Sequence, residues 1–205
     1  MTSNQNAYWE SIYTKEAAKL PVYDGWLDEY IPLLSKCQKI VDLGCGRGVN
    51  TVHLHSIGIE TIACDFSQSA LEGLKRLIPN INVLCFDMTK GLPFLPESVD
   101  TVIADLSLHY FTDAVTKQIV DEIKRVLRPD GLLLCRVNAF EDGFDSTSFE
   151  VIEADYFIVN GCTKRFFTQH TLRGYFTGWQ IYKVEEQKTQ KYGFVKPVIF
   201  AEIRK

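Results

Sequence analysis

The sequence predicts an α/β fold, one open and mostly parallel sheet with helices on both faces. Three features carry this expectation. Short apolar runs alternate with stretches of helical period, as strands and crossover helices do in a parallel sheet. Caps and breakers fall between them, with Ser67, Thr112 and Pro129-Asp130-Gly131 at the junctions. Near the carboxyl end the pattern changes: Gln180 to Glu186 and Val198 to Ile203 alternate like two antiparallel strands joined by a long turn.

Taken in order, Lys39-Ile40-Val41-Asp42-Leu43 reads as the first buried strand. Thr61 to Cys64 reads as the second, Asn82 to Phe86 as the third, Val99 to Leu106 as the fourth and Leu132 to Val137 as the fifth. With the terminal pair this makes a seven-stranded sheet. A helix is expected from Val49 to Ser56. Ser67 or Ser69 can cap another, whose apolar face includes Ala70, Leu71, Leu74 and Leu77 and which ends before Pro79. Thr112 can cap a third, where Val115, Ile119, Ile123, Val126 and Leu127 recur at helical spacing. Residues 4 to 34 are aromatic-rich and partly helical, with breaks at Pro21 and Pro32. Residues 138 to 170 read as loops around Gly143, Asp145-Ser146-Thr147-Ser148 and Gly161, with one short strand near Tyr156 to Val159. No repeat or linker interrupts the chain, so one domain is expected across residues 1–205, divided into 1–35, 36–137 and 138–205.

Bulk properties narrow the function. A chain of 205 residues with 46% hydrophobic and 23% charged content is ordinary for a globular domain, which disfavours disorder. The formal net charge is -4 and no basic stripe is visible, which makes a nucleic-acid partner unlikely. None of the six cysteines forms a C-x-x-C pair, so no metal site is expected. The start lacks a signal-peptide pattern and no apolar stretch spans a bilayer. The expectation is a reduced, cytoplasmic protein, monomeric or homodimeric.

The turn after the first strand carries the first chemistry. Gly44, Gly46 and Gly48 let backbone pass close to a ligand and turn into a helix whose amino terminus offers unpaired N–H groups. Asp65 ends the second strand about twenty residues later, where a carboxylate can accept both ribose hydroxyls of a nucleoside. Asp87 follows the third strand. In an open parallel sheet, ligands bind outside the carboxyl ends of the strands where strand order reverses, so Gly44, Asp65 and Asp87 face one crevice.

These residues resemble a known family. Ile40-Val41-Asp42-Leu43-Gly44-Cys45-Gly46-Arg47-Gly48 is similar to the hydrophobic-D-x-G-x-G-x-G motif of class I S-adenosylmethionine-dependent methyltransferases. Cys64-Asp65-Phe66-Ser67 resembles that family's ribose-binding position, and Phe86-Asp87-Met88 its adenine-binding turn. Asp100 to Asp105 is similar to the strand bordering the methyl group, and Leu127-Arg128-Pro129-Asp130-Gly131 to the corner before strand five. The resemblance implies a Rossmann-like sheet with S-adenosylmethionine as cofactor and S-adenosylhomocysteine as product. It implies a cofactor set of Asp42, Gly44, Cys45, Gly46, Gly48, Asn50, Asp65, Phe66, Asp87, Met88, Asp105 and Leu106. Phe166-Phe167-Thr168-Gln169-His170-Thr171-Leu172 looks like the F-x-T-x-x-x-L stretch of small-molecule members, including the tellurite-resistance and thiopurine-type groups. Tyr8-Trp9-Glu10-Ser11-Ile12-Tyr13 is similar to their aromatic amino-terminal helix, which implies a lid in residues 1–35. The fourth strand ends Ala104-Asp105-Leu106-Ser107 rather than in the Asn-Pro-Pro-Tyr pattern of amide and adenine N-methyltransferases, which puts methylation of exocyclic amines of nucleic acids or of glutamine side chains in doubt.

On the acceptor side, His109 and Asp105 are the catalytic candidates and Trp9, Tyr13, His109, Tyr110 and Arg136 the substrate-binding candidates. Each has a plainer reading. His109 can pack in a loop, Arg136 can serve the fold, and the aromatics can belong to the core. Methyl transfer from a sulfonium demands mainly alignment, and a base only when the acceptor arrives protonated. Two other functions compete. A nicotinamide-dependent oxidoreductase would need G-x-G-x-x-G, whereas position 49 is valine. A non-catalytic cofactor-binding regulatory module would keep the same loop.

Overall fold

A computed structural model describes residues 3–15, 22–141, 144–190 and 194–205. Its elements in chain order are α1 (Ser3–Lys15), α2 (Ile31–Leu34), β1 (Ile40–Leu43), α3 (Val49–Ser56), β2 (Ile62–Asp65), α4 (Gln68–Leu77), β3 (Asn82–Cys85) and β4 (Val99–Asp105). Then come α5 (Asp113–Val126), β5 (Leu127–Asn138), β6 (Glu150–Glu153), β7 (Tyr156–Val159), β8 (Cys162–Arg165), α6 (Gln169–Gly174), β9 (Gln180–Thr189) and β10 (Lys196–Arg204). Seven strands form one sheet in the order β3-β2-β1-β4-β5-β10-β9. Strands β1 to β5 pair in parallel, and β10 runs antiparallel to both β5 and β9. The order reverses between β1 and β4, where the sequence places the crevice.

Alternation along the strands explains the two-sided core. Val41, Leu43, Val102, Ala104, Leu133, Cys135 and Val137 face a cluster completed by Ile119, Ile123 and Val126 of α5. The intervening Ile40, Ile103, Leu132, Leu134 and Phe200 face the other way, onto Leu27, Leu34 and Leu54. Leu71 and Leu74 of α4 cover Ala63 on β2. Charged residues on the second face are therefore buried among apolar neighbours. Asp42 is such a case: it accepts a hydrogen bond from the Thr51 hydroxyl at 2.7 Å, which fastens α3 to β1.

Caps follow the expected chemistry, with one choice decided. Ser67, not Ser69, accepts from Ala70 N–H at the start of α4, and Thr112 accepts from Val115 N–H at the start of α5. Pro32 lies in the first turn of α2, where its missing N–H costs nothing, so it starts a helix instead of breaking one. The breaks expected at Pro21 and Gly143 lie outside the described residues. Pro129-Asp130-Gly131 falls inside β5 as a register break, with Asp130 at φ 61° between the Val99–Leu127 and Thr101–Leu132 pairs.

Residues 138–170 depart most from expectation. Instead of loops around one strand they form a second, three-stranded antiparallel sheet, β6-β7-β8. The Phe166–Leu172 stretch also has a structural account. Thr168 and Thr171 make a reciprocal capping box for α6, while Phe167 and Leu172 are buried. Among the described residues, no helix is long and apolar enough to cross a membrane.

Replacing Thr51 with Val keeps the shape and removes a bond to a buried carboxylate. This is expected to cost about 2 kcal/mol, or roughly 4–8 °C in Tm. Thermal unfolding checks it; an unchanged Tm would show that the Thr51–Asp42 bond does not fasten α3.

Candidate functional site

One cavity of about 340 Å³ lies over the carboxyl ends of the central strands. Gly44, Cys45, Gly46, Arg47 and Val49 supply its wall after β1, Asp65 and Phe66 after β2, and Phe86, Asp87 and Met88 after β3. Asp105, Leu106, Ser107 and Tyr110 come from the end of β4. Trp9, Ile12 and Tyr13 of α1 cover it, and Lys164, Phe194 and Lys196 complete the rim.

The glycine turn is tight for reasons that can be named. Gly44, Gly46 and Gly48 all have positive φ, at 73°, 53° and 74°. A Cβ on Gly44 would sit 2.4 Å from Ser107 Cβ, and one on Gly46 would sit 2.8 Å from the Tyr13 hydroxyl. Ser107 in turn donates to the Leu43 carbonyl at 2.8 Å, which pulls the end of β4 against the loop. Leu106 sits at φ 58°, an unfavourable conformation for a branched side chain and a cost of order 1 kcal/mol or more. Its N–H donates to the Arg136 carbonyl at 2.8 Å, which holds that conformation in place.

Asp65 organises the loop as well as lining the cavity. Its carboxylate accepts from Gly46 N–H at 2.8 Å and from Ser67 N–H at 2.9 Å, and each oxygen retains a second acceptor position. Burial pushes its pKa up to about 6, against the pull of those backbone donors, and the charge of Glu10 adds to the rise. Burial also raises Asp87, yet the Thr89 hydroxyl and N–H outweigh it and hold this carboxyl below its ordinary value. Cys45 lines the cavity as a thiol: burial, then the charges of Asp65 and Asp42, push its pKa well up.

Asp105 is held from behind. It is the register partner of Arg136 on the neighbouring strand, and its two oxygens accept from Arg136 Nε and Nη2 at 2.7 and 3.0 Å. The same guanidinium reaches Asp24 at 2.7 Å, lies 4.5 Å from the Trp26 ring centroid, and is only 1% exposed. Asp24 also accepts from the Thr189 hydroxyl at 2.5 Å, and Asn50 bridges Trp26 Nε1 to Asp105 at 2.9 and 3.3 Å. Burial opposes the charge on Arg136, but Asp105 and Asp24 outweigh it and raise its pKa.

Of the residues singled out in the sequence, Gly44, Cys45, Gly46, Asp65, Phe66, Asp87, Met88, Asp105, Leu106, Trp9, Tyr13 and Tyr110 meet in this cavity. Five others do not line it. Asp42 lies beneath the loop on Thr51, and Gly48 packs against Leu74. Asn50 belongs to the charge network, and so does Arg136, which pairs with two carboxylates. His109, the catalytic candidate, does not line the cavity either: it is 1% exposed and tilted over the Tyr110 ring at 4.2 Å. Ser107, Lys164, Phe194 and Lys196 were not singled out. The two lysines and Phe194 carry no motif, and only the folding of β8 and β10 brings them to the crevice.

Removing the Arg136 charge would leave Asp24 and Asp105 facing each other without a counter-ion. Arg136→Met is expected to destabilise by about 3–5 kcal/mol, a fall in Tm of roughly 6–20 °C. A Tm within about 2 °C of wild type would show that the network does not bind the N-terminal segment to the sheet.

Comparison with known proteins agrees with this geometry. Residues 40–131 match the family model described as a methyltransferase domain. The chain is 33% identical over 99 residues to an uncharacterized methyltransferase of Synechocystis, covering 48% of this chain and 46% of that one. It is 34% identical over 96 residues to the mitochondrial arginine-hydroxylase NDUFAF5 of mouse, covering 46% and 27%. The chain spans less than two thirds of the length of the curated relatives it matches. A SAM-dependent methyltransferase from Methanosarcina mazei superposes with a TM-score of 0.77 at 17% identity, covering 91% of this chain and 99% of that one, which shows the shared fold. With the glycine loop, Asp65 and Asp87 at successive strand ends, and this sheet order, residues 40–131 form a methyltransferase domain, and the chain shares the fold of S-adenosylmethionine-dependent methyltransferases.

Proposed function

We propose that this protein transfers the methyl group of S-adenosylmethionine to a small molecule by in-line displacement. The observation that carries the reading is one continuous cavity. It is lined by Asp87, Asp65 and the glycine loop together with Trp9, Tyr110, Lys164 and Lys196. Its volume of about 340 Å³ is at the low end for ligand pockets, which suits a nucleoside cofactor with a small partner.

S-adenosylmethionine supplies a methyl group already activated on a sulfonium, so the protein's task is to align and enclose. Asp65 would accept the ribose hydroxyls through its remaining acceptor positions. Asp87 would accept from the adenine amine, and the Met88 backbone would meet the ring. The residues fit the cofactor because the loop is too close to Ser107 and Tyr13 to admit a Cβ. Trp9, Ile12 and Tyr13 would act as a lid from α1, excluding water and offering aromatic faces to the positive sulfonium. Asp105 would set a fixed negative charge beside the cofactor; its hydrogen bonds to Arg136 make it a poor proton acceptor. With His109 outside the lining, this reading favours an acceptor that needs no strong base. The resemblance of Phe166–Leu172 to small-molecule members belongs to this proposal, as does a cytoplasmic site of action.

A second reading, a cofactor-binding regulatory module, is favoured by the same placement of His109. Methyl transfer separates the two. The protein is expected to bind S-adenosylhomocysteine in calorimetry and to pass label from S-adenosylmethionine to members of a panel of small thiols, acids and amines. Label carried into protein would overturn the small-molecule reading, and cofactor binding without any turnover would favour the module. Tight NAD binding with no response to S-adenosylhomocysteine would end the methyltransferase reading.

Asp65 gives this reading a pH signature. Its carboxyl is raised from 3.8 to about 6, so in the free protein ionisation costs stability as pH climbs between those values and costs nothing more above them. The ionised form is the one that accepts ribose hydroxyls. Affinity for S-adenosylhomocysteine is therefore expected to rise from about pH 5 to about pH 7 and then level off. Asp65→Asn should flatten that rise, and an equal rise in the variant would assign it to another group.

A further inference from the structure

The cavity is electrically graded along the sheet edge. Its acidic end is formed by Asp87 and Asp65, which follow β3 and close β2. At the opposite end Lys196 opens β10 and Lys164 stands on β8 of the small sheet. The strand order β3-β2-β1-β4-β5-β10 sets three strands between that of Asp65 and that of Lys196. Between them the lining carboxylate is Asp105, whose oxygens are engaged by Arg136.

A cationic acceptor arriving beside Trp9 and Tyr110 would meet two ammonium groups and a carboxylate already hydrogen-bonded to Arg136. An anionic acceptor would meet two positive charges in a partly dry site, where charge-assisted bonds are strongest. Both lysines are partly buried. Lys196 Nζ donates to Asn138 Oδ1 at 3.0 Å, which places its charge at the carboxyl end of β5. Among the described residues, no carboxylate lies within ion-pair distance of Lys164. Trp9, Tyr110 and the exposed Phe194 add aromatic surface around the pair.

From this, and resting on the methyl-transfer reading above, we infer that the acceptor is a small aromatic acid whose anionic group is bound by Lys164 and Lys196. Asp65 and Asp87 then read the cofactor, and the lysines select the partner. Arg47 on the glycine loop is the remaining lining cation, and the cofactor's own carboxylate is the competing claimant for all three.

The test uses protein saturated with S-adenosylhomocysteine and three probe pairs: 4-hydroxybenzoate, cinnamate and phenylacetate, each against its amide, titrated by calorimetry. At least one acid is expected to bind about tenfold or more tighter than its amide. The double variant Lys164→Met, Lys196→Met should lose that preference while keeping wild-type affinity for S-adenosylhomocysteine, and the double Arg variant should retain it. Equal binding of acids and amides, or no binding of any acid, would overturn the inference. So would Met variants that weaken S-adenosylhomocysteine and leave the acids untouched, because the lysines would then serve the cofactor. A wild-type protein that fails to bind S-adenosylhomocysteine at all would remove the methyl-transfer reading first, and this inference with it.

Discussion

Arg136 is the charge on which the rest of the site depends. It sits on the strand face that otherwise carries Leu132 and Leu134, so its guanidinium is buried among apolar side chains and must be paired there. The pairing draws in Asp105 from β4, Asp24 from the segment before α2, and Thr189 from β9 through Asp24. Two carboxylates around one guanidinium leave a net negative charge in the interior. Such a cluster is weak evidence for stability, since apolar packing could do as well. Its consequence is positional: it fixes which way Asp105 faces and holds Trp26 and Asn50 behind the cofactor wall.

The same constraint explains the shape of the loop after β4. Arg136 presents its side chain to Asp105 and its carbonyl to Leu106 N–H, so one residue sets both the charge and the backbone of the cavity floor. Leu106 is thereby held at positive φ, and Ser107 turns back onto the Leu43 carbonyl. The close approach of Ser107 to Gly44 follows, and it leaves no room for a side chain there. Glycine at position 44 answers to a neighbour sixty-three residues away as much as to any ligand.

This clarifies what the sequence could reveal. The strands of the large sheet were legible because each buried run carries its own apolar pattern, and Ser67 and Thr112 announce their helices by local chemistry. Gly44, Gly46, Asp65 and Asp87 were legible because a nucleoside crevice needs those residue types at strand ends. The small sheet was not, since Glu150–Glu153 and Cys162–Arg165 are four-residue strands of mixed polarity, the first almost wholly exposed and the second burying an arginine together with a cysteine. His109 and Arg136 lie where a motif argument expects reactive groups, yet Arg136 is oriented by strand parity and by Asp24, more than a hundred residues distant from it, and His109 is buried against Tyr110. Sequence position places a residue at the crevice; only its partners say whether it faces in.

The division of labour across the cavity then has a physical reason. A carboxylate that must accept hydroxyl hydrogen bonds gains from partial burial, and Asp65 accepts the cost of a raised pKa because Gly46 and Ser67 return part of it. An acceptor-side base would have to sit in the same dry space and stay uncommitted. Among the described residues, the carboxylate that lines the cavity there, Asp105, is hydrogen-bonded to Arg136, and lysines and aromatic rings line it beside that carboxylate. Under the inference drawn above, such a site binds and orients an acceptor that carries its own negative charge. The acidic and basic residues of the cavity are then parts of one design, in which the buried arginine holds the carboxylate that lies between them.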